Sequence, residues 1–341
     1  MLKALFERLL AVFDRPEPAR DRPVHGDHGR ARDVDYTFNK KRYPGSQTRQ
    51  YRVHLPPAYG QGNKLPVVMV LHGCDQNHED VQQVSNFDRL ADKHGFIVVY
   101  PFVTSYDTPR MDNCWAFWSK HHNRSGAGEV EDLWRILSAV RSRFKADADR
   151  LHVAGLSSGA SMAIALLVTR CDKIASGAEI AGLPYTESAM FLGHANPLYK
   201  PTRHVVAAME AEMGNKKRQV PLMIVHAKRD RFISVKAATK VRESWAKSFA
   251  IDTSEPSWSK SGSTNGTAWE HHRYTDGTDA NAIETLLLDH NEHGWYGGQE
   301  GKYGFTDTLD VSEKIWGFFA SNRLNSASST SGLFRRQKSA A

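Results

Sequence analysis

Cysteine is scarce. Three thiols in 341 residues, Cys74, Cys114 and Cys171, are too few for a disulfide-built scaffold and lack the C-x-x-C spacing of a zinc or redox pair. Long apolar runs are missing too. The strand-like run Val67 to Leu71, preceded by Leu65 and Pro66, and the longer Met162 to Val168 both fall far short of the ~20 residues of a spanning helix. No segment repeats at a period of about 20 to 50 residues, which excludes solenoids and propellers. Surplus charge is absent from the body: the net charge is +7, but the first fifty and the last twenty-one residues carry +8 between them and leave −1 for the rest. A phosphate-binding face needs a basic stripe on the folded domain itself, so a nucleic-acid partner is not expected. No motif calls for a metal or a cofactor.

What is present is an ordinary globular composition, 40% apolar, 10% aromatic and 24% charged, long enough for one large α/β domain. The opening run MLKALFERLLAVF resembles a leader, yet Glu7 and Arg8 interrupt it and no small-residue cleavage site follows. Its apolar spacing fits one face of an amphipathic helix, and the expectation is a retained helix, with a cytoplasmic location slightly favoured. Residues 14 to 34 have linker composition. Residues 35 to 323 form the expected catalytic domain, and the Ser-rich basic stretch 324 to 341 is expected to be disordered.

Within the body, strand-like runs alternate with longer amphipathic stretches. Strands are expected at Gln50–Leu55, Pro66–Leu71, Phe96–Tyr100, Leu151–Leu156, Ala175–Ile180, Leu222–Val225 and Ile283–Leu288. Helices are expected at Glu79–His94, Glu129–Phe144, Ser158–Thr169, Val235–Phe249 and Leu309–Ala320. This alternation predicts a doubly wound, mostly parallel sheet with helices on both faces. The region from Thr186 to Gln219 reads as a short helical insertion.

The strand LHVAGL runs into GLSSG, Gly155 to Gly159. In such a G-x-S-x-G turn the serine, here Ser157, sits on a strained strand-to-helix corner and the glycines let neighbouring backbone pass closely. A serine hydroxyl needs a histidine to take its proton and a carboxylate to fix the histidine tautomer. Asp230 follows the strand PLMIV, whereas Asp252, Asp276 and Asp279 lie in polar segments. After the last strand come His290 and His293, and His293, followed by Gly294, is better placed to swing over the serine. Backbone N–H groups of Cys74 and Ser158 would make the oxyanion hole, since PVVMVLHGC ends the earlier central strand there. The Cys74 thiol is either an inert buried group or bonded to Cys114.

LHGCDQ (71–76), NCWAFW (113–118), GLSSGA (155–160), AGLPY (181–185), HAKRD (226–230) and HGWYGG (293–298) occur in the order and spacing of the poly(3-hydroxybutyrate) depolymerase family of esterases. The resemblance covers roughly residues 45 to 320. It implies an α/β-hydrolase fold and a serine esterase acting on hydroxyalkanoate esters or polyester oligomers, or on acetylated or feruloylated polysaccharides. The same triad follows, and Trp115, Trp118, Tyr185 and Trp295 would wall the substrate cleft. Family members are commonly exported. Two departures stand out: Asp75 replaces the usual Thr, and Ser158-Gly159-Ala160 replaces Ala-Gly-Gly. Nothing resembles a polymer-adsorbing module. A catalytically idle fold serving as a binding or granule-associated protein is the reading from another class, and a serine peptidase is a third.

Overall fold

The computed structural model describes residues 29–188, 198–276 and 281–325. Ten strands, β1 (Arg32–Phe38), β2 (Arg49–Leu55), β3 (Val67–Leu71), β4 (Ile97–Phe102), β5 (Leu151–Leu156), β6 (Ser176–Ile180), β7 (Leu222–Ala227), β8 (Trp258–Thr264), β9 (Thr267–Thr275) and β10 (Asn281–Leu288), form one sheet. Its order is β1-β2-β4-β3-β5-β6-β7-β10-β9-β8. The six strands from β4 to β10 in that order run parallel. An antiparallel pair closes each edge, β2 and β1 on one side and β9 and β8 on the other. Burial dictates this layout. The central β3 and β5 have no exposed residue, as strands covered on both faces require, while β1 alternates and β8 is exposed along nearly all its length.

Two cores sandwich the sheet. Helices α3 (Gly128–Arg143), α4 (Ser158–Thr169), α5 (Thr202–Met213) and α6 (Lys236–Phe249) cover one face; α1 (His78–Ser85), α2 (Phe87–His94) and α7 (Val311–Ala320) cover the other. A small parallel pair, β11 (Trp295–Tyr296) with β12 (Gly304–Phe305), braces the last loop. The fold is the expected doubly wound α/β sheet. No described helix is long and apolar enough to cross a membrane.

Several boundaries differ from the sequence reading. The stretch expected as one helix from Glu79 to His94 is two, because Asn86 adopts a left-handed conformation (φ 52°) and its N–H caps the carbonyls of Gln82 and Gln83. The folded domain begins inside the expected linker. In β1, Val34, Tyr36 and Phe38 lie on one face and pack against the core, which offsets the charges between them. The β8–β9 hairpin was not foreseen, since its first strand is rich in Ser and carries little apolar alternation. The expected N-terminal helix and most of the basic tail lie outside the described residues, as do residues 189–197 of the insertion, whose helical part is α5.

Candidate active site

Ser157 stands at the junction of β5 and α4 with φ 57° and ψ −117°, a strained conformation for a residue with a side chain. Its neighbours explain how the strain is held. A Cβ on Gly155 would lie 2.4 Å from the carbonyl of Gly159, and one on Gly159 would lie 2.4 Å from the carbonyl oxygen of His72. The glycines therefore let α4 descend onto β5 and let the loop after β3 run against the turn. The Ser157 N–H donates to Ile180 O at 2.9 Å, and the Ser157 carbonyl accepts from the N–H and Oγ of Ser161 at 3.0 and 3.2 Å.

Asp230 follows β7 and His293 follows β10, which lie side by side in the sheet. His293 Nδ1 is 2.7 Å from Asp230 Oδ2, while Oδ1 of Asp230 accepts the N–H groups of Phe232 and Ile233 at 2.7 and 2.8 Å. Burial opposes the charge on Asp230, but the His293 hydrogen bond and the other bonds outweigh it and hold the carboxyl below its ordinary pKa. With Nδ1–H donated to a carboxylate, the imidazole presents the lone pair of Nε2. Ser157 and His293 keep 7% and 8% of their surface, so the pair is recessed yet reachable.

The alternatives go elsewhere. His290 accepts from the Glu292 N–H and approaches Asp307. Asp252 turns onto Ser254 and Asp276 onto Gln219, and Asp279 lies outside the described residues.

The loop after β3 is locked in place. His72 Nδ1 donates to Gly73 O at 2.8 Å and His72 Nε2 accepts from the Val103 N–H at 3.3 Å. Burial drives its pKa down to about 3, so it stays a neutral imidazole with that tautomer. The Gly73 N–H donates to Gln76 Oε1 at 2.9 Å, and Gln76 Nε2 donates to Lys302 O at 2.6 Å. With the Gly73 carbonyl held by His72, the far side of the same peptide plane, the Cys74 N–H, points the opposite way. Cys74 and Cys114 form a disulfide, and Cys171 is a buried free thiol. Asp75, with φ 63°, is exposed and pairs with Lys302 at 2.9 Å. A left-handed backbone suits Asp better than a β-branched Thr.

Of the four aromatic residues expected to wall the cleft, three are buried. Trp115 and Trp295 have no exposed surface. Trp115 Nε1 donates to the His72 carbonyl at 3.1 Å, which makes it a brace for the loop. Trp295 packs edge-on against Phe87 in the opposite core and donates to Ser312 Oγ. Tyr185 is 3% exposed and donates to Asn123 O. Trp118 alone keeps a partly exposed ring, set against Phe117. An indole or phenol near a site is drawn inward by its apolar area once its polar end finds a partner. The aromatic that does reach solvent beside the histidine is Phe232, 47% exposed and stacked on the His293 ring with centroids 5.6 Å apart. Nothing in its local sequence marks it; its place follows from the turn that Asp230 caps. Gln76 was also overlooked.

Two concave surfaces, of about 240 and 560 Å3, lie over α1 and the β1–β2 edge and share no residue with this site. There Asp33, His54 and Asp88 bring one metal-ligating atom each within 4.8 Å. Burial works against a charged His54, but its bonds to Asp33 and Asp92 and the charge of Asp88 prevail and raise its pKa to about 9, so the imidazolium is itself the cation of that cluster.

A strained serine at a strand-helix corner, with an Asp–His pair in the loops after β7 and β10, defines the α/β-hydrolase class of folds. Residues 49–253 match the family described as esterase PHB depolymerase, and the chain belongs to it. It is 31% identical over 132 residues to poly(3-hydroxyalkanoate) depolymerase C of Paucimonas lemoignei, covering 39% of this chain and 31% of that one. It is 25% identical over 224 residues to feruloyl esterase B of Neurospora crassa, covering 62% of this chain and 74% of that one. The chain thus spans about a third of the depolymerase it matches. The structure resembles that of an acetyl xylan esterase from Aspergillus awamori with a TM-score of 0.64 at 17% identity, over 86% of this chain and all of that one, a likeness of fold.

Proposed function

We propose that this protein is a serine carboxylic-ester hydrolase that works through an acyl-enzyme. The observation that carries the reading is the 2.7 Å contact of His293 Nδ1 with Asp230 Oδ2 on the same rim of the sheet as the strained Ser157. His293 Nε2 takes the proton of Ser157 Oγ as the oxygen attacks the ester carbonyl, and the carbonyl oxygen becomes an anion that the amides of Cys74 and Ser158 receive. His293, now an imidazolium beside an ionised Asp230, returns its proton to the leaving alcohol. Water then repeats the sequence on the acyl-enzyme and releases the acid.

The substrate class follows the family: short-chain hydroxyalkanoate esters and polyester oligomers, with acetylated or feruloylated polysaccharide as the second reading. Similarity to a feruloyl esterase over most of its length and the exposed Phe232 ring favour keeping that second reading. Release of acid from hydroxybutyrate oligomers, compared with release from acetylxylan and methyl ferulate, separates the two. Ser157→Ala tests the mechanism and should lower kcat by a factor on the order of 10⁴ or more with the fold intact. Near-normal turnover in that variant would refute the mechanism, whereas no turnover by the wild type on any of these esters would favour an idle fold used for binding.

A further inference from the structure

Glu179 lies on β6 opposite Gly155 of β5 and Ile224 of β7, with no exposed surface. Its Oε2 accepts the Gly182 N–H at 2.7 Å, while Oε1 is buried with no hydrogen-bond partner among the described residues. The carboxyl and the first turn of α4 meet across Gly182. A Cβ there would lie 2.8 Å from Glu179 Oε2, 2.8 Å from the Cβ of Ala160 and 3.2 Å from the N of Ser161. The next residue, Leu183, donates its N–H to Ser161 Oγ at 2.8 Å, and that hydroxyl donates to the Ser157 carbonyl. Glu179 therefore holds the turn that holds the nucleophile's corner.

Its charge state follows from its surroundings. An ionised carboxylate offers about four lone-pair directions and here meets one donor; a neutral acid leaves only one O–H unmatched, the smaller penalty. Among the described residues no cation offsets its charge. Helix α4, SGASMAIALLVT, has no ionisable side chain. The strands on either side contribute His152 and His226, whose pKa values burial lowers, so both are neutral.

We propose that Glu179 is a positioning residue for the esterase reaction, whose uncharged carboxyl pins the 181–183 turn against the first turn of α4 and whose ionisation switches the reaction down. This rests on the serine-esterase reading. The physical reason is that the helix N-terminus helps to receive the oxyanion, and a second negative charge lodged beside it, in a region of low dielectric, opposes the one that forms in the transition state. Burial, partly offset by the Gly182 hydrogen bond, pushes the Glu179 pKa up to about 8. The switch therefore falls in the mildly alkaline range.

The test is kcat against pH, from about pH 6 to 10, on p-nitrophenyl butyrate for the wild type, Glu179→Gln and Glu179→Val, corrected for alkaline self-hydrolysis. The wild type should lose about tenfold or more between pH 7 and 9.5. Glu179→Gln, which can keep the Gly182 bond and cannot ionise, should lack that fall. Glu179→Val, which gives up the bond, should lower kcat at every pH and also lack it. The infrared carbonyl band of a protonated acid should disappear from the wild type in step with its activity, a measurement that stands even if the variants fold poorly. An alkaline fall shared by wild type and Glu179→Gln, or a wild type with no such band at neutral pH, overturns the proposal. Absence of ester turnover at any pH would instead refute the esterase reading, and the infrared titration would still judge Glu179.

Discussion

Asp230→Asn isolates the imidazole tautomer from everything else at the site. In the native protein Oδ1 accepts two backbone N–H groups, at 2.7 and 2.8 Å, and Oδ2 receives His293 Nδ1 at 2.7 Å. An asparagine keeps its oxygen on the two amides, since turning its NH2 toward them would place donor against donor. The NH2 then faces His293 and forces Nδ1 to accept, which moves the ring proton to Nε2. That nitrogen can no longer take the proton of Ser157. We expect kcat to fall by about 10⁴, equivalent to roughly 5.5 kcal/mol of transition-state stabilisation. Stability should change by only about 1–2 kcal/mol, the difference between a charge-assisted and a neutral hydrogen bond. Asp230→Ala is the poorer experiment, because it strands two amide donors around a side chain with no exposed surface and adds about 2–4 kcal/mol of unrelated destabilisation. The assay is steady-state hydrolysis of p-nitrophenyl butyrate, with urea melts of both proteins. An Asn variant that keeps more than about one tenth of kcat would refute the assignment of Asp230 as the group that fixes His293.

Reduction of the Cys74–Cys114 disulfide, which bridges a separation of 40 residues, should cost roughly 4 kcal/mol by the chain-entropy model and should also lower kcat, because the Cys74 N–H belongs to the proposed oxyanion hole. Urea midpoints and turnover with and without reductant measure this, and unchanged values with all three thiols titratable would contradict it. His54, with its pKa raised to about 9 above an unfolded value near 6.5, adds stability that is fully present below about pH 6.5 and is lost as pH rises through about 9. The two values correspond to about 3 kcal/mol, reduced to about 1–2 because the carboxylate partners are partly exposed. Urea melts across that range, with His54→Gln as control, should show the loss in the wild type alone; parallel curves would count against it. Across p-nitrophenyl esters, kcat/KM should peak near butyrate and decline with longer chains, and soluble hydroxybutyrate oligomers should be cleaved faster than crystalline film. A maximum at long chains would replace the short-ester reading with a lipase-like one.

The central strands and the serine corner were legible because each rests on a local rule. Continuous β-branched runs such as VVMVL mark buried parallel strands, and a glycine on either side of a serine between strand and helix marks a backbone crossing that Cβ atoms would block. Gly294 after His293 and the strand before Asp230 single these two out over His290 and Asp252, and a 2.7 Å contact joins them. The break at Asn86 and the β8–β9 hairpin had local signals that went unread. Asn86 tolerates the left-handed conformation, and Asn265-Gly266, with φ 50° and 85°, is the Asn-Gly pair that a tight hairpin turn favours. By contrast, β1 begins among charges whose pairing is visible only in three dimensions, with Asp35 on Arg52 and Asp33 on His54.

Trp115 and Trp295, two of the expected cleft aromatics, are buried for a reason that bears on specificity. Sequence gives a tryptophan's area but not its side of the loop, and here Trp115 turns inward to support the His72 carbonyl while Trp295 crosses into the far core. Together with the Cys74–Cys114 bond and Gln76, Trp115 makes the loop after β3 rigid, so that the oxyanion hole proposed there would have little freedom to adapt to different acyl groups. On the proposed esterase reading, discrimination would come from parts of the rim that remain exposed, Phe232 beside His293 and the half-covered Trp118. Phe232 hangs from the turn that Asp230 caps through its N–H. A substitution there would therefore reach both the proposed substrate contact and the surroundings of His293, the proposed base. Phe232→Leu, which keeps apolar area and removes the flat face, should change the preference between aryl and alkyl esters more than it changes kcat on either one. An equal loss on both would mean that the ring serves only to hold His293.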